Sequence, residues 1–483
     1  MLLLRRSIPR HRLSSCGNTT NYSIAMQMSL FKRSSQQKCW LLALLGMGSS
    51  IALAAVLAAP RPTSAWKYRF QRPPVGSITK NIQQEIAFHQ RIIQQQPTAG
   101  LERAALAQNY LKMARATGES SWYLLAQQTA QQSLVQLPFH NYGAVLVLAK
   151  IAAAKHDFTQ SLALVEQLPS QAESLSLSTT AHLALGDTTT ARQKADAAVT
   201  RMPTLSNFAL RALVEVAQGQ DSAAVRDFKT AIAAEEPDEA GSSAWVRTLL
   251  GRFYYKRGQL QQAEELYQSA LEILPKYPPA LLNMAELSVR QWQADPSQSK
   301  YQTRAVQLYD RFFLTTGQAP TVYDHIALRG LARVQRLQGD STTAATTWER
   351  AVSRLRSDLS GFGHRRELAQ LLLERGQGTD REQALALMQA EIKIRQDPET
   401  WDTLAAAHLQ MGQLEQAQKA IAIALKSGIL DPGITDRAAV IAQARGQLAQ
   451  AQMYRERVKS IDPLFDAGAR QALGLGVGLS GLN

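Results

Sequence analysis

At 483 residues the chain has room for several ordinary domains, yet after residue 100 neither an alternating strand pattern nor a break in composition marks a second fold. The formal charge of +14 points to nucleic acid only until it is located: the first 72 residues hold 11 Lys and Arg and no Asp or Glu, which leaves 42 basic against 39 acidic residues, or +3, for the rest. Both cysteines, Cys16 and Cys39, lie in the same leading stretch, so the body has neither disulfide nor thiol chemistry and no cysteine to complete a zinc site.

Residues 1–38 form a basic leader, with Lys32, Arg33 and Lys38 directly before an uncharged run at 39–60 that is about as long as a bilayer crossing requires. Basic residues beside an apolar run favour membrane targeting over phosphate recognition. Thr63, Ser64 and Ala65 supply small residues at which a signal peptidase would cut before Trp66, whereas the length of the run favours a retained anchor. Both outcomes place the remaining chain outside the cytoplasm, at the membrane or exported to a periplasm or cell envelope. An organelle address is the alternative, because the leader is rich in Arg and Ser and free of acids. A linker is expected at 61–77 and a capping helix at 78–99, where Ile82, Ile86, Phe88 and Ile92 would cover the apolar end of the body.

Farther on, a glycine is followed five times at fixed distance by two alanines: Gly186, Ala191, Ala198; Gly219, Ala224, Ala231; Gly258, Ala263, Ala270; Gly339, Ala344, Ala351; Gly412, Ala417, Ala424. A glycine free to take positive φ ends one helix, and alanines seven residues apart on the next share a face where neighbouring backbones approach closely. Each unit is therefore a helical hairpin, with a period of about 34 residues once a degenerate unit is placed in each long gap. The clearest unit, 244–277, carries Leu250, Gly251, Tyr254, Gly258, Ala263, Tyr267, Ala270 and Pro275, with Arg247 where an early tryptophan would stand. A unit from Pro398 restores that tryptophan as Trp401. Extra residues between 281 and 305, and around Gly376 and Gly378, predict longer hairpin loops.

This pattern resembles the tetratricopeptide (TPR) repeat almost position by position, over residues 100–465 in about ten hairpins. The resemblance implies an all-α protein, an α-solenoid wound as a right-handed superhelix, preceded by the one transmembrane or signal segment. A lone hairpin cannot bury its apolar face, so stability comes from stacking, and residues 466–483 are expected to give a C-terminal cap and a flexible Gly-rich tail.

In TPR proteins that this chain resembles, the first helix of each repeat lines a concave groove that receives peptides. Arg329, Arg333 and Arg336 stand at i, i+4 and i+7 on such a helix, and Arg252, Tyr255, Lys256 and Arg290 take similar places in the preceding units. Together they predict a basic patch suited to acidic segments or C-terminal carboxylates, which Glu286 and Glu374 would neutralise in part. The carboxylate clamp of chaperone-binding relatives is not reproduced: Asn283 matches one clamp position, but Thr248 and Arg252 stand where lysine and asparagine would be needed.

The eight histidines include no pair at the spacing that would put two ligands on one helix face. Gly476, Gly478 and Gly481 spell a dinucleotide fingerprint with no strand before it or helix after it. Ser77 and Lys80 copy an S-x-x-K motif without its partner motifs. No catalytic residue, metal or cofactor is expected. The expected function is a non-catalytic scaffold that binds protein or peptide partners and touches the membrane through 39–60, with no nucleic-acid partner. An enzyme with an unrecognised hydrolase or transferase site is the alternative.

Overall fold

The computed structural model describes residues 66–466, except 170 and 318 and the side chains of 172 and 358–361. The leader, the run at 39–60 and the Gly-rich tail lie outside the described residues. A first helix, α1 (Ser77–Gln95), packs on the first of ten hairpins. In chain order these are α2 (Gly100–Thr117) with α3 (Ser120–Gln136), α4 (Tyr142–Ala154) with α5 (Phe158–Val165), α6 (Ala172–Ala184) with α7 (Thr188–Arg201), α8 (Leu205–Ala217) with α9 (Asp221–Ala233), and α10 (Ala240–Tyr255) with α11 (Leu260–Ile273). They continue with α12 (Pro278–Ala294) and α13 (Ser299–Thr316), α14 (Asp324–Leu337) and α15 (Ser341–Phe362), α16 (Arg365–Arg375) and α17 (Asp380–Glu391), α18 (Pro398–Gln410) and α19 (Leu414–Leu425), and α20 (Pro432–Ala444) and α21 (Leu448–Ile461). Among the described residues the sole β pairing is an isolated bridge between Glu119 and Thr321. The fold is an all-α solenoid.

Local chemistry accounts for the hairpins. At Gly186 the backbone turns left-handed, φ +79°, to end α6, and the next residue, Asp187, accepts a 2.9 Å hydrogen bond from the Thr190 amide to cap α7. Asp340 repeats the cap at 3.0 Å for α15. The paired alanines of the pattern are buried in every unit, and Tyr267 lies so close over Gly251 that a Cβ there would sit 2.4 Å from its ring. The expected longer loop between 281 and 305 is not found: the extra residues lengthen α12 and α13, leaving 295–298 as the turn. No proline interrupts the helical run from 280 until Pro296, so added turns of helix satisfy more backbone groups than a longer loop would. At the C-terminal end, 462–466 is non-helical.

Stacking brings together residues about 200 positions apart, roughly six hairpins of about 34 residues. The Gly118 carbonyl accepts from the Val322 amide at 2.9 Å, the Ala184 carbonyl from the Gln396 amide at 2.7 Å, and the Pro320 carbonyl from the Ser120 amide at 3.1 Å. Gly219 faces the carbonyl of Gly428, and Gly258 faces the carboxylate of Asp462. Arg290 closes the end of this series, donating to Asp462 at 2.7 Å and to the Leu464 carbonyl at 3.1 Å. Successive superhelical turns are therefore in direct contact.

Residues 66–72, within the stretch expected as a linker, lie along α9 to α11. The Trp66 carbonyl accepts from Arg247 Nε and from Ser269 Oγ, both at 2.8 Å, Tyr68 donates to the Pro237 carbonyl at 3.1 Å, and Arg72 pairs with Glu272 at 2.8 Å. Arg247, fully buried, also pairs with the fully buried Glu235 at 2.8 Å. The residue that departs from the repeat pattern is the one that fastens this strap.

Candidate functional site

The helix propensity and face periodicity of α10 put Trp245, Thr248, Leu249 and Arg252 on one side, with Lys256 just beyond its end. All five line a cavity of about 540 Å³. The first helices of seven consecutive hairpins, α8 to α20, contribute to its wall, so the cavity is the concave face of the stack. Its volume is in the range of small-molecule sites.

The residues expected to form a basic patch fall into three groups. Arg252, Lys256 and Arg329 reach the cavity. Tyr255, Arg290 and Arg333 are buried but lie outside its lining: the Arg290 guanidinium sits 5.0 Å over the Tyr255 ring, and Arg333 pairs with Glu286 at 3.2 Å and with Glu374 at 3.5 Å. Arg336 is exposed and outside the lining. Glu374 also binds Arg329, 3.1 Å from its Nε, so these two acids carry out the neutralisation that their positions suggested. The cavity is not a uniformly basic surface. Its cations Arg252, Lys256, Arg329, Arg366 and Arg437 alternate with Glu286, Glu367, Glu374, Glu399, Asp402 and Asp431.

Burial governs how these groups ionise. It raises the Glu399 carboxyl above the usual range, with Arg366 opposing. It also penalises ionised Asp431, but Lys256 and the Ile434 amide overcome that penalty and hold its pKa low. Burial drives His325 down to about 3, with His364 adding to the effect, and likewise keeps His156 neutral at physiological pH. These three histidines form a cluster that sequence spacing could not show. Ring centroids are 4.9 Å apart for His325 and His364 and 5.7 Å for His156 and His364, and the residues come from three hairpins on adjacent turns. Among the described residues no group of three His, Cys, Asp or Glu is arranged to hold a metal ion. Most of the cavity's charged groups are engaged in ion pairs, an arrangement that suits recognition of a ligand by shape and charge.

Residues 244–287 match the tetratricopeptide repeat family. No curated protein matches the chain. Among solved structures, a human IFIT1 dimer with PPP-AAAA is 15% identical with a TM-score of 0.43, covering 74% of this chain and 83% of that one. The human IFIT1 dimer with m7Gppp-AAAA gives 17%, 0.40, 74% and 71%. A tetratricopeptide repeat protein from Parabacteroides merdae ATCC 43184 gives 16%, 0.33, 58% and 98%. The chain is thus a helical-repeat protein with a TPR match at 244–287, and these distant likenesses carry no ligand over to it.

They do correct one expectation. The near-neutral charge of the body argued against nucleic acid, yet the similar structures include IFIT1 with PPP-AAAA and with m7Gppp-AAAA. A total of +3 averages over 42 cations that folding distributes unevenly, so net charge is no ground for the exclusion.

Proposed function

We propose that the chain is a non-catalytic binding scaffold whose working surface is the concave cavity, displayed outside the cytoplasm by the segment 39–60. The observation that carries this reading is convergence: seven first helices, spread over more than 200 residues, turn their side chains into one volume. Ion pairing of the titratable groups there favours binding over proton transfer, which needs a group free to gain or lose a proton. The uncharged run beside a basic leader supports the membrane or envelope location, with the segment kept as an anchor or removed after export.

Filling the cavity tests the proposal. Leu213→Trp or Thr403→Trp, made in the full chain purified from its own cells, should remove any copurifying ligand seen by native mass spectrometry. Leu448→Ala on the outer face should not, since Leu448 is 68% exposed. A ligand retained by both filled variants refutes the cavity as the binding surface. Protease shaving of intact cells tests the location, which is refuted if the repeats are protected until the inner membrane is opened.

A further inference from the structure

Four of the five cations lining the cavity are held by carboxylates. Lys256 lies 3.3 Å from Asp431, Arg329 binds Glu374, Arg366 donates to Asp397 at 3.0 Å, and Arg437 donates to Asp402 at 3.1 Å. Arg252 is the fifth. It is only 8% exposed, its side chain makes neither a hydrogen bond nor an ion pair among the described residues, and its Nε is sealed from solvent. Burial lowers its pKa, with Glu399 opposing and Arg366 adding to the effect. A buried guanidinium held in no ion pair carries a desolvation cost, and an anionic ligand offsets it.

The surroundings narrow the anion. One turn before Arg252 on the same face are Thr248 and Leu249, and two turns before it is Trp245; Leu213 and Leu282 come in from the neighbouring helices. This is a polar point set in an apolar wall. Six carboxylates line the same cavity, so a head group of two or more negative charges meets repulsion where a single charge is matched by a single guanidinium. A carboxylate also fits the planar fork of arginine in bidentate fashion. The next superhelical turn walls the cavity nearby, through the Lys256 to Asp431 pair and the contact of Gly219 with Gly428, and the volume of about 540 Å³ holds one compact molecule.

The geometry points to a site for a small amphipathic monocarboxylate, its carboxylate on Arg252 and its apolar or aromatic body against Trp245, Leu249 and Leu213. This rests on the cavity being the ligand-binding surface.

The test uses the full chain in detergent with four kinds of probe: 3-phenylpropanoate, decanoate, the primary amide of each, and an acetylated tetrapeptide ending in a free leucine carboxylate. Titration calorimetry should show at least one of the two acids binding roughly tenfold or more tighter than its amide, with Arg252→Met removing that preference and Arg252→Lys keeping part of it. Without ligand, Arg252→Met should raise Tm, because it deletes an unpaired buried charge, whereas the paired Arg366→Met should lower it. The inference is overturned if neither acid binds, if acid and amide bind alike, if only the peptide binds, or if Arg252→Met lowers the ligand-free Tm. Leu213→Trp separates the two readings. Binding that survives Arg252→Met but not Leu213→Trp overturns the role of Arg252 and leaves the cavity standing; binding that survives Leu213→Trp overturns the cavity itself.

Discussion

Gly219 and Gly412 ask the same of the backbone, with φ of +71° and +72°, but differ in what surrounds them. At Gly412 an added Cβ meets nothing within 4 Å, so Gly412→Ala bears only the left-handed penalty of an L-residue, about 1–2 kcal/mol. At Gly219 the same Cβ would lie 2.2 Å from the Gly428 carbonyl oxygen and 3.1 Å from its carbon. Both are backbone atoms, so no side chain can swing aside, and separating them means moving one superhelical turn against the next. Overpacking of this kind adds about 1–3 kcal/mol, which puts Gly219→Ala at about 2–5 kcal/mol in all. Because a repeat array need not unfold in one step, the assay is native-state hydrogen exchange read by mass spectrometry, with urea denaturation alongside. Gly219→Ala should release protection at 218–220 and at 428–430 together, while Gly412→Ala releases it only near 412. Equal destabilisation by the two substitutions, or exchange at 428–430 unchanged in Gly219→Ala, would show that the turns do not touch.

Removing one partner of the fully buried pair Arg247 and Glu235 should destabilise strongly: Arg247→Met should cost about 3–5 kcal/mol by urea denaturation and expose 66–72 to protease, and a cost as small as that of exposed Arg72→Ala would contradict the buried geometry. Acidification should act through His325, whose folded pKa of about 3 lies below the unfolded value of about 6.5, so its contribution is full above pH 6.5 and falls away as the pH drops towards 3. The loss is about 2 kcal/mol by pH 5, and His325→Gln should flatten the stability profile between pH 6.5 and 5; parallel profiles for the two proteins would be inconsistent with a neutral buried ring. Asp462→Asn removes the charge that Arg290 grips and should loosen the last hairpin, seen as faster exchange in α21 with α10 unchanged; unaltered exchange in α21 would mean the clasp contributes nothing.

The hairpins were legible because their determinants are local. One glycine and two alanines within about a dozen residues suffice to end a helix and let the next approach, and all five glycines of the pattern have φ between +69° and +87°. The groove was legible in part for the same reason: Arg252, Lys256 and Arg329 lie on first helices, and Glu286 and Glu374 sit in adjacent hairpins, close enough in sequence to be paired with Arg329 and Arg333 by inspection. What escaped depends on the next turn. Asp431 and Asp462 reach Lys256 and Arg290 across 175 and 172 residues, and His156 meets His364 in the same way.

The period of about 34 residues specifies how one hairpin meets its neighbour, but turn-to-turn contact depends on the rotation accumulated over roughly six of them. A small difference in the packing of each pair would separate the turns or make them collide, and no single repeat encodes that sum. Its traces are residues that make little sense within one hairpin. Arg247 stands where an aromatic residue would complete the repeat, and it holds Trp66 across 181 positions. Gly428, outside the glycine and alanine pattern, has φ +87° and comes within reach of the Gln218 carbonyl, opposite Gly219. In a stacked array, departures from the repeat are therefore where long-range contact is written.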